Sequence, residues 1–532
     1  MNPLFQEQLK RNELLALAPA ETEHVVTIAV HRNHSFELVA SVVNPFLALA
    51  RTRARFIYGP YDDSLSFAGI EEKADIHLLW VDAVRYGIPD IFPWLYSRID
   101  VLRATFAARG HSCKVIAAVA GTRAEASDMP DTLFLSCDAV VAELQGAAFD
   151  SRLEPFTGTR FSNQACLLLA RELGVRSIPD MLFPPLKALI LDLDNTLYEG
   201  VLGEDGLEGV IPYMVLQEYI ADLGRQGFLL ALASRNEEED VRRLFAERKD
   251  FVLQWEDFSA RILDWRPKSE SILAIARALC IGTDAVLFVD DNHGERVQVH
   301  RELPEVRILA ADGPEETLAA LRWFPGLHKT SVSLEDTLRR DDLKANKARE
   351  TLRRHLRPED YIRELGIVLD LAVDPPQAGA RVYELLHKTN QFVLALKRPS
   401  QEELAGYFTA GDRCVITVSM RDRLSDSGLI AVGLFRSTPG ALGMDELVVS
   451  CRALGRGVED SMIRSMIKLG AKTLDAGPAL AVAYRTGPRN KPALDWLHGF
   501  SKTPLEEAGT QFLIMPAAAE ALPQEPACYG DG

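Results

Sequence analysis

Residues 187–196 read Lys-Ala-Leu-Ile-Leu-Asp-Leu-Asp-Asn-Thr, and this stretch decides the fold of the chain around it. The apolar run predicts a buried strand that ends at Asp192, with Asp194 two positions later. Because side chains alternate along a strand, these two carboxylates leave on the same side. They repel unless a cation lies between them or one is protonated. The pattern is typical of phosphoryl transfer, in which one Asp attacks phosphorus, its neighbour shuttles a proton and Mg²⁺ balances the charge.

Three later segments supply the other parts of such a site. A phosphate needs a hydroxyl and backbone N–H groups, a cation, and further carboxylates for the metal. The segments are Ser234-Arg235-Asn236 after an apolar strand, Lys268 at the start of a helix, and Asp290-Asp291-Asn292 after a buried strand. Strands that alternate with helices and end in polar residues predict a parallel, doubly wound α/β sheet.

These segments, in this order, resemble the haloacid dehalogenase (HAD) superfamily of aspartate-nucleophile phosphatases. The resemblance implies that Asp192 is the nucleophile and Asp194 the acid/base, its backbone carbonyl also facing the metal. It implies a catalytic, phosphate-binding Lys268 and a Mg²⁺ site that Asp290 and Asp291 complete. The predicted substrate-binding residues of this domain are Asn195, Thr196, Ser234, Arg235 and Asn236. The alternative is structural, because an Asp at a strand end often only caps the next helix.

The intervals between these segments are short. From Asp192 to Ser234, and from Ser234 to Lys268, a helix and a strand nearly fill the chain, so neither interval has room for a separate lid domain. We therefore predict a capless core, covered by another domain or by a protein that carries the substrate.

Composition describes an ordinary multidomain protein. The 532 residues are 47% hydrophobic and 25% charged, which suggests about three domains. The net charge of −17 argues against nucleic-acid binding. Seven cysteines without CxxC pairs indicate neither a zinc site nor a disulfide framework, as expected in a reducing cytoplasm. The N-terminal residues do not have the pattern of a signal peptide, and no apolar run approaches the ~20 residues of a membrane span, so we expect neither a secreted nor a membrane-spanning chain.

The predicted architecture is α/β with three domains. The boundaries are 1–184 for a parallel-sheet domain like the SGNH esterases, 185–325 for the HAD-like Rossmannoid core, 326–366 for a solvated helical connector, 367–515 for an α+β domain like the GNAT acyltransferases, and 516–532 for a disordered tail. In the first domain, His31-Arg-Asn-His-Ser35 follows a strand but lacks the Gly-Asp-Ser turn of small esterases. A scaffold or docking role without catalysis is favoured there.

The last domain contains a strand at 446–451, a glycine-rich turn and a helix from 458. Such a turn presents several N–H groups to a phosphate. Its Arg-x-x-Gly-x-Gly sequence resembles the pantetheine-binding turn of GNAT acyltransferases, although glycine turns before helices are common. The substrate-binding residues predicted in this domain are Asn390, Gln391, Arg452, Gly455, Arg456 and Gly457.

The chain as a whole resembles the FkbH-like proteins of polyketide pathways. Its most specific stretch is 192–209, supported by Lys388-Thr-Asn-Gln-Phe392, Ser425-Asp-Ser-Gly-Leu-Ile430 and 450–459. The resemblance implies that a glyceryl group passes from 1,3-bisphosphoglycerate, a phosphorylated three-carbon metabolite, to the phosphopantetheine arm of an acyl carrier protein, with loss of phosphate. The chain departs from the family at Tyr198-Glu199-Gly200, Ala233, Val393 and His293.

Some residues of the last domain have two open interpretations. Family members form a glyceryl–cysteine, for which Cys451 is the candidate nucleophile beside Arg452; the alternative is a small buried residue. His387 is a possible base or a structural histidine. Three further cations have two interpretations, contact with an acidic surface of the carrier protein or simple exposure to solvent: Arg485, Arg489 and Lys491.

Three hypotheses for function follow. The first is a Mg²⁺-dependent bifunctional enzyme that loads a glyceryl group onto a carrier protein and removes its phosphate. The second is a phosphatase for another phosphorylated metabolite or carrier-bound substrate. The third is a non-catalytic scaffold for carrier proteins.

Overall fold

The structure is a computed structural model that describes most of the chain. It covers residues 2–505 except 19–23, 61–64, 66, 68–71, 89, 108–112, 123–125, 127–128, 130, 153, 184–185, 280, 329–341, 343–344, 347–348, 350, 353–354, 390, 455 and 488–489, and it gives the backbone of 511–516 and 528–529. Within these residues, no helix combines the length and the apolar character that crossing a bilayer requires.

The first sheet is parallel throughout, in the order β2-β1-β3-β4-β5. Its strands are β1 His24–Arg32, β2 Thr52–Tyr58, β3 Ile76–Asp82, β4 Val115–Ala120 and β5 Thr132–Ser136. The helices are α1 Arg11–Leu15, α2 Glu37–Leu47, α3 Ala83–Tyr86, α4 Phe92–Ala107, α5 Cys137–Val140, α6 Glu154–Thr157, α7 Asn163–Glu172 and α8 Ile178–Leu182, with a π-helical turn at Leu173–Ser177 between the last two. β3 and β4 are buried along their whole length, as strands covered on both faces are.

The second sheet is also parallel, in the order β10-β9-β6-β11-β12. Its strands are β6 Ala188–Leu191, β9 Leu229–Ser234, β10 Phe258–Leu263, β11 Val286–Asp290 and β12 Arg307–Ala310. A two-stranded hairpin, β7 Tyr198–Glu199 and β8 Ile211–Pro212, follows β6. The helices are α9 Leu202–Gly209, α10 Met214–Arg225, α11 Glu238–Glu247, α12 Lys268–Ala278 and α13 His293–Glu302; α14 Pro314–Arg322 follows β12 along the chain. The strand order reverses beside β6, and α/β sheets bind ligands at such a point.

The third sheet is mixed, in the order β18-β17-β16-β15-β14-β13-β19. Its strands are β13 Val368–Val373, β14 Arg413–Arg421, β15 Asp426–Thr438, β16 Ala441–Val449, β17 Ala479–Tyr484, β18 Gln511–Pro516 and β19 Cys528–Tyr529. The helices are α15 Pro358–Leu365, α16 Gly379–Lys388, α17 Gln401–Thr409, α18 Glu459–Thr473 and α19 Lys491–Ser501. Among the described strands of this third sheet, only the β16–β17 and β13–β19 pairs are parallel.

The predicted multidomain α/β architecture is confirmed: the first two sheets are parallel, and the third is mixed, as expected of an α+β domain. The chain divides into two compact units, 1–185 with 312–329 and 186–311 with 330–532. The segment 312–329 therefore belongs with the first unit, although the sequence analysis assigns residues up to 325 to the phosphatase-like domain. The guanidinium of Arg171 lies 3.7 Å from the centre of the Trp323 ring within this first unit.

Two other expectations about the chain outside the sheets differ from the structure. The tail from 516 was expected to be disordered, yet Cys528 and Tyr529 pair with β13. A strand at the edge of a sheet has unpaired backbone N–H and C=O groups with which an extended segment can pair. Residues 517–527 and 530–532 lie outside the described residues. In the connector, Asp342 and Arg349 are buried rather than solvated.

Candidate active site

The candidate active site lies at the carboxyl ends of three adjacent strands. Val289 of β11 pairs with Leu191 of β6, so Asp290 and Asp192 are the next residues of neighbouring strands. The N–H of Asp192 extends the ladder by donating to the Val289 carbonyl at 3.0 Å. Ser234 ends β9 on the other side of β6. Parallel pairing therefore collects these side chains at one edge of the sheet.

Lys268 is the cation of this group. It is the first residue of α12, and its Nζ lies 2.6 Å from Oδ1 of Asp192 and 3.4 Å from Oδ2 of Asp290. It also donates to the backbone carbonyl of Ala233. Lys268 is 4% exposed and Asp290 is fully buried, so water screens this pair weakly. The sequence-predicted Asp192, Lys268 and Asp290 are therefore brought into one contact group.

Three carboxylates of the site are arranged to hold a cation. Oxygens of Asp192, Asp290 and Asp291 all lie within 4.8 Å of one another. Oδ2 of Asp290 is buried and has no hydrogen-bond partner; its described polar contact is the ion pair with Lys268. Carboxylate oxygens are the ligands that Mg²⁺ prefers, so these residues fit the predicted metal.

The three carboxylates of the group are close together, and burial and this proximity affect the pKa values of Asp290 and Asp291. Burial and the neighbouring Asp192 raise the pKa of Asp290 to about 7. The same two causes, burial first, raise the pKa of Asp291. A divalent cation among the three carboxylates would favour their ionised forms.

The Asp194 side chain lies outside this carboxylate group. Its Oδ1 accepts a hydrogen bond from the Tyr198 hydroxyl at 2.5 Å and from the Leu202 N–H at 3.0 Å, and its Oδ2 accepts one from Asn236 Nδ2 at 3.0 Å. Burial and the negative charge of Asp194 raise the pKa of Tyr198, so its hydroxyl remains a donor. Three donors thus fix the orientation of the predicted acid/base. A metal contact through the Asp194 backbone carbonyl stays a prediction.

Sequence analysis missed the part played by Tyr198. It noted the residue only as a departure from the family pattern, because nothing in the motif shows that the hairpin returns to Asp194. Tyr198 is fully buried, and a buried tyrosine next to an acidic pair needs an acceptor for its hydroxyl. That requirement was the available signal.

The predicted substrate-binding residues of this domain have different positions. Ser234 is buried and accepts a hydrogen bond from Asn236 at 3.1 Å, and the Thr196 hydroxyl is buried without a hydrogen-bond partner. Asn195 instead serves the turn: it has a φ of 51°, and its Oδ1 accepts from the Gly200 N–H at 3.1 Å. Arg235 pairs with Glu295 at 2.6 Å, with its side chain 43% exposed.

In the third sheet, a loop fills the space between two strands. β16 and β17 pair over 441–444 and 479–482, and residues 392–394 then lie between them. The Leu394 N–H donates to the Leu447 carbonyl at 3.1 Å, and the Arg485 N–H donates to the Leu394 carbonyl at 2.9 Å. Asn490 Nδ2 donates to the carbonyl of Val393 at 2.9 Å. The Lys388–Phe392 motif thus leads into a structural insertion.

Glu446 anchors this inserted loop. Its carboxylate accepts hydrogen bonds from the N–H groups of Leu394 at 3.0 Å, Ala395 at 2.9 Å and Lys397 at 2.6 Å. Glu446 is fully buried, and burial raises its pKa to about 7. A single glutamate in an apolar strand gave no signal of this role in the sequence.

The turn after β16 differs from the prediction at Arg456. Its guanidinium is buried and bound within the protein, 2.8 Å from both oxygens of Asp342 and 3.1 Å from Asp422. Arg349 completes the cluster, 2.8 Å from Asp422 and 3.0 Å from Asp342. The expectation that Arg456 offers its charge to a phosphate is corrected, because two internal carboxylates already occupy it.

The same cluster explains a motif of the sequence. Ser425 and Ser427 donate hydrogen bonds to Asp342 Oδ1 at 2.6 and 3.0 Å. The Ser-Asp-Ser-Gly stretch therefore helps to hold the charged connector on the sheet. Asp342 and Arg349 are two helical turns apart, a spacing that puts them on one helix face and was the available signal.

The other predicted residues of the last domain are less informative. Arg452 is buried, Gln391 and Cys451 are half-buried, and Gly457 has a φ of 78°, a conformation that suits glycine. His387 Nδ1 is 2.9 Å from the Tyr383 carbonyl and its ring stacks on Tyr383. Asn390, Gly455 and Arg489 lie outside the described residues.

The polar residues after β1 are engaged in internal contacts. Asn33 exchanges hydrogen bonds with the backbone of Asp82 at 2.9 and 2.8 Å, and Arg160 Nε pairs with the Asp82 carboxylate at 2.7 Å. His34 is 3.0 Å from the Thr159 hydroxyl, and burial lowers its pKa to about 3. These contacts fit the favoured non-catalytic interpretation, which stays a prediction.

No family model and no curated protein matches this sequence. Among solved structures, the chain is similar to the N-terminal part of a Bacteroides fragilis protein containing a phosphatase domain, complexed with Mg (20% identity over 59% of this chain and 98% of that one, TM-score 0.41). It is also similar to a HAD family enzyme from Bacteroides thetaiotaomicron in a magnesium complex (15% identity over 24% of this chain and 93% of that one, TM-score 0.19). A third similar structure is a GNAT family acetyltransferase from Streptococcus pneumoniae (11% identity over 28% of this chain and 99% of that one, TM-score 0.21). At these values the likenesses assign neither a family nor an activity to the chain.

Proposed function

We propose that this protein is a Mg²⁺-dependent phosphatase that uses Asp192 as a nucleophile. The observation that carries the proposal is the contact group of one lysine and three carboxylates at the ends of β6 and β11. Bound Mg²⁺ would neutralise the phosphate and the carboxylates that face it. The three residues that would hold the ion are Asp192, Asp290 and Asp291.

The chain's own residues divide the remaining work. An oxygen of Asp192 attacks phosphorus, the P–O ester bond breaks, and the leaving oxygen takes a proton from Asp194. Asp194 then removes a proton from water, which attacks the aspartyl phosphate and releases inorganic phosphate. Lys268 orients Asp192 through its contact with Oδ1, while Ser234 and nearby N–H groups bind the phosphate oxygens.

The test is phosphate release from 3-phosphoglycerate and acetyl phosphate by the full chain. Asp192→Asn is expected to lower kcat by about a thousandfold or more, since the amide is a poor nucleophile. Asp222→Asn makes the same change on the exposed face of α10 and is expected to leave kcat unchanged. Unchanged release by Asp192→Asn, or full activity in EDTA, would refute the proposal.

A finer function is proposed on the sequence resemblance: the phosphatase acts on a glyceryl group that the same chain loads onto an acyl carrier protein. A protein thiolate attacks the acyl carbon, the carbon–oxygen bond to phosphate breaks, and a cysteine thioester forms as inorganic phosphate leaves. The pantetheine thiolate of the carrier then attacks the same carbon and displaces the cysteine thiolate, which leaves the thioester on the carrier. Cys451, half-buried beside the turn, is the candidate thiol. The 3-phosphate monoester then goes to Asp192.

Intact-mass measurement separates the hypotheses. A pantetheinylated carrier protein is incubated with the full chain, Mg²⁺ and 1,3-bisphosphoglycerate. A glyceryl adduct on the carrier supports loading, and its loss in Cys451→Ser supports the thiol. Phosphate release without an adduct indicates a plain phosphatase, and the absence of both indicates a scaffold.

A further inference from the structure

The C-terminal sheet contains a cavity that the proposed phosphatase chemistry does not use. It has a volume of about 520 Å³ and is lined on its polar side by Lys397, Tyr407, Arg413, Arg436, Asp445 and Arg485. These residues come from six different elements: the inserted loop, α17, β14, β15, β16 and the end of β17. A volume of this size suits a small molecule.

The charge of the lining is strongly positive. Four cations face one carboxylate, in a chain whose net charge is −17. That carboxylate is already held, since Asp445 lies 2.6 Å from Arg436 Nε and accepts from the Tyr407 hydroxyl at 2.5 Å. Arg413 has a loose, exposed ion pair with Asp412 at 3.8 Å, so Lys397 and Arg485 are the cavity cations in excess.

The cations are held in place by the fold. The backbone of Lys397 is fixed by its hydrogen bond to Glu446, and its Nζ is 3.1 Å from the Tyr407 hydroxyl. The N–H of Arg485 is fixed by the Leu394 carbonyl at 2.9 Å. The guanidinium of Arg413 lies 5.5 Å from the centre of the Tyr407 ring. Positive side chains positioned around one volume repel each other, and an anion between them relieves the repulsion.

We propose that this cavity binds a small phosphate monoester, at a site separate from Asp192. A dianionic phosphate matches the excess charge, and arginine binds phosphate oxygens through two parallel N–H donors. The remaining wall is apolar, formed by Ala395, Leu396 and Ala483, and fits a short carbon chain. The proposal does not depend on the phosphatase activity.

The experiment is calorimetric titration of the full chain with 3-phosphoglycerate in EDTA. Lys397→Gln and Arg485→Gln are each expected to weaken binding about tenfold, as the loss of one charge-assisted hydrogen bond does. Lys472→Gln removes the same charge from an exposed position of α18 and is expected to change the affinity less than twofold. Circular dichroism of each variant checks that the fold is retained.

A second variant separates this cavity from the phosphatase site. Lys268→Met is expected to retain the binding that Lys397→Gln and Arg485→Gln weaken. Binding that is lost in Lys268→Met and unchanged in both cavity variants would overturn the proposal, even if the phosphatase is confirmed. Preference for a pantetheinylated carrier protein, whose phosphate is a diester, over 3-phosphoglycerate at the cavity would also overturn it, because the ligand would then be a carrier arm.

Discussion

The Asp194 carboxylate accepts three hydrogen bonds, and of the three donors only Asn236 was predicted to be a site residue. Tyr198 and the N–H of Leu202 come from the hairpin and helix that follow β6. A residue with a proton-transfer role needs a fixed orientation, so these donors position Asp194 without touching phosphate.

Replacing Tyr198 with phenylalanine is expected to lower kcat about tenfold, because Asp194 loses its hydroxyl donor. The hydroxyl does not contact Asp192, Asp290 or Asp291 in the described structure, so the affinity for Mg²⁺ should not change. Steady-state kinetics as a function of substrate and Mg²⁺ concentration measures both quantities. An unchanged kcat, or a loss of Mg²⁺ affinity equal to the loss of kcat, would contradict the assigned role.

Sequence reasoning identified the charged residues of the site better than their partners. Asp192, Lys268 and Asp290 were predicted because each follows a strand or begins a helix, and parallel pairing brings such positions together. Asn195 was assigned to substrate, yet its side chain closes a turn on Gly200, a local use that asparagine with a positive φ often has.

Glu446 and the loop it holds are the least predictable elements. Sequence periodicity indicates the strands. It does not indicate that β16 and β17 diverge after their paired residues, or that residues 392–394 lie between these two strands. The loop is anchored there by three peptide N–H groups on the Glu446 carboxylate, by its pairing with β16, and by hydrogen bonds from Arg485 and Asn490. Long-range insertions of this kind depend on tertiary packing, which local patterns do not encode.

The stability of this region should depend on pH through Glu446. The pKa is about 7 in the folded chain against 4.5 for an ordinary glutamate, so the folded state holds a proton that the unfolded state releases between these values. The contribution is present in full below pH 4.5 and is lost as the pH rises through 7, a change of about 3 kcal/mol. Hydrogen exchange of residues 392–397 measures the opening free energy across this range.

Glu446→Gln is the control for that measurement. The glutamine does not titrate, so the opening free energy of the wild type should fall relative to that of the variant as the pH rises from 5 to 8. A difference that stays constant with pH would contradict the assignment.

The buried Arg–Asp cluster determines whether the charged connector is held on the third sheet. Asp342→Asn is expected to destabilise the C-terminal domain by about 3–5 kcal/mol, because Arg349 and Arg456 stay buried with one carboxylate fewer. Glu364→Gln breaks a half-exposed pair with Arg423 and is expected to cost about 1 kcal/mol or less. Denaturant titration monitored by hydrogen exchange in the C-terminal domain measures the loss of stability in each variant. Equal losses in the two variants would contradict the importance of the cluster.

The path of the whole chain passes from the first unit to the second, back to the first, and then to the second again. Residues 312–329 belong to the first unit, where Arg171 and Arg176 lie 3.7 and 4.6 Å from the centre of the Trp323 ring. The parallel sheets were predicted correctly from the sequence, but the predicted boundary at 325 assigned most of this segment to the phosphatase-like domain. The local sequence of a helix that follows the last strand of a sheet does not indicate which compact unit the helix packs against.

Trp323→Ala is expected to lower the opening free energy of the first unit by about 1–2 kcal/mol, through the loss of cation–π contacts. Trp265→Ala removes an indole that is 68% exposed in the second unit and should leave the first unit unchanged. Hydrogen exchange resolved by unit makes the comparison. Destabilisation of 186–311 instead of 1–185 by Trp323→Ala would show that the segment packs elsewhere.

The most direct test of the account is chemical trapping of the phosphorylated residue. The full chain is mixed with acetyl phosphate and Mg²⁺, quenched with borohydride, which reduces an aspartyl phosphate to homoserine, and sequenced by mass spectrometry. The account predicts homoserine at position 192 and at no other aspartate, and none when EDTA replaces Mg²⁺. Phosphate release without reduction at position 192, or with reduction at 194 or 290 instead, would contradict it.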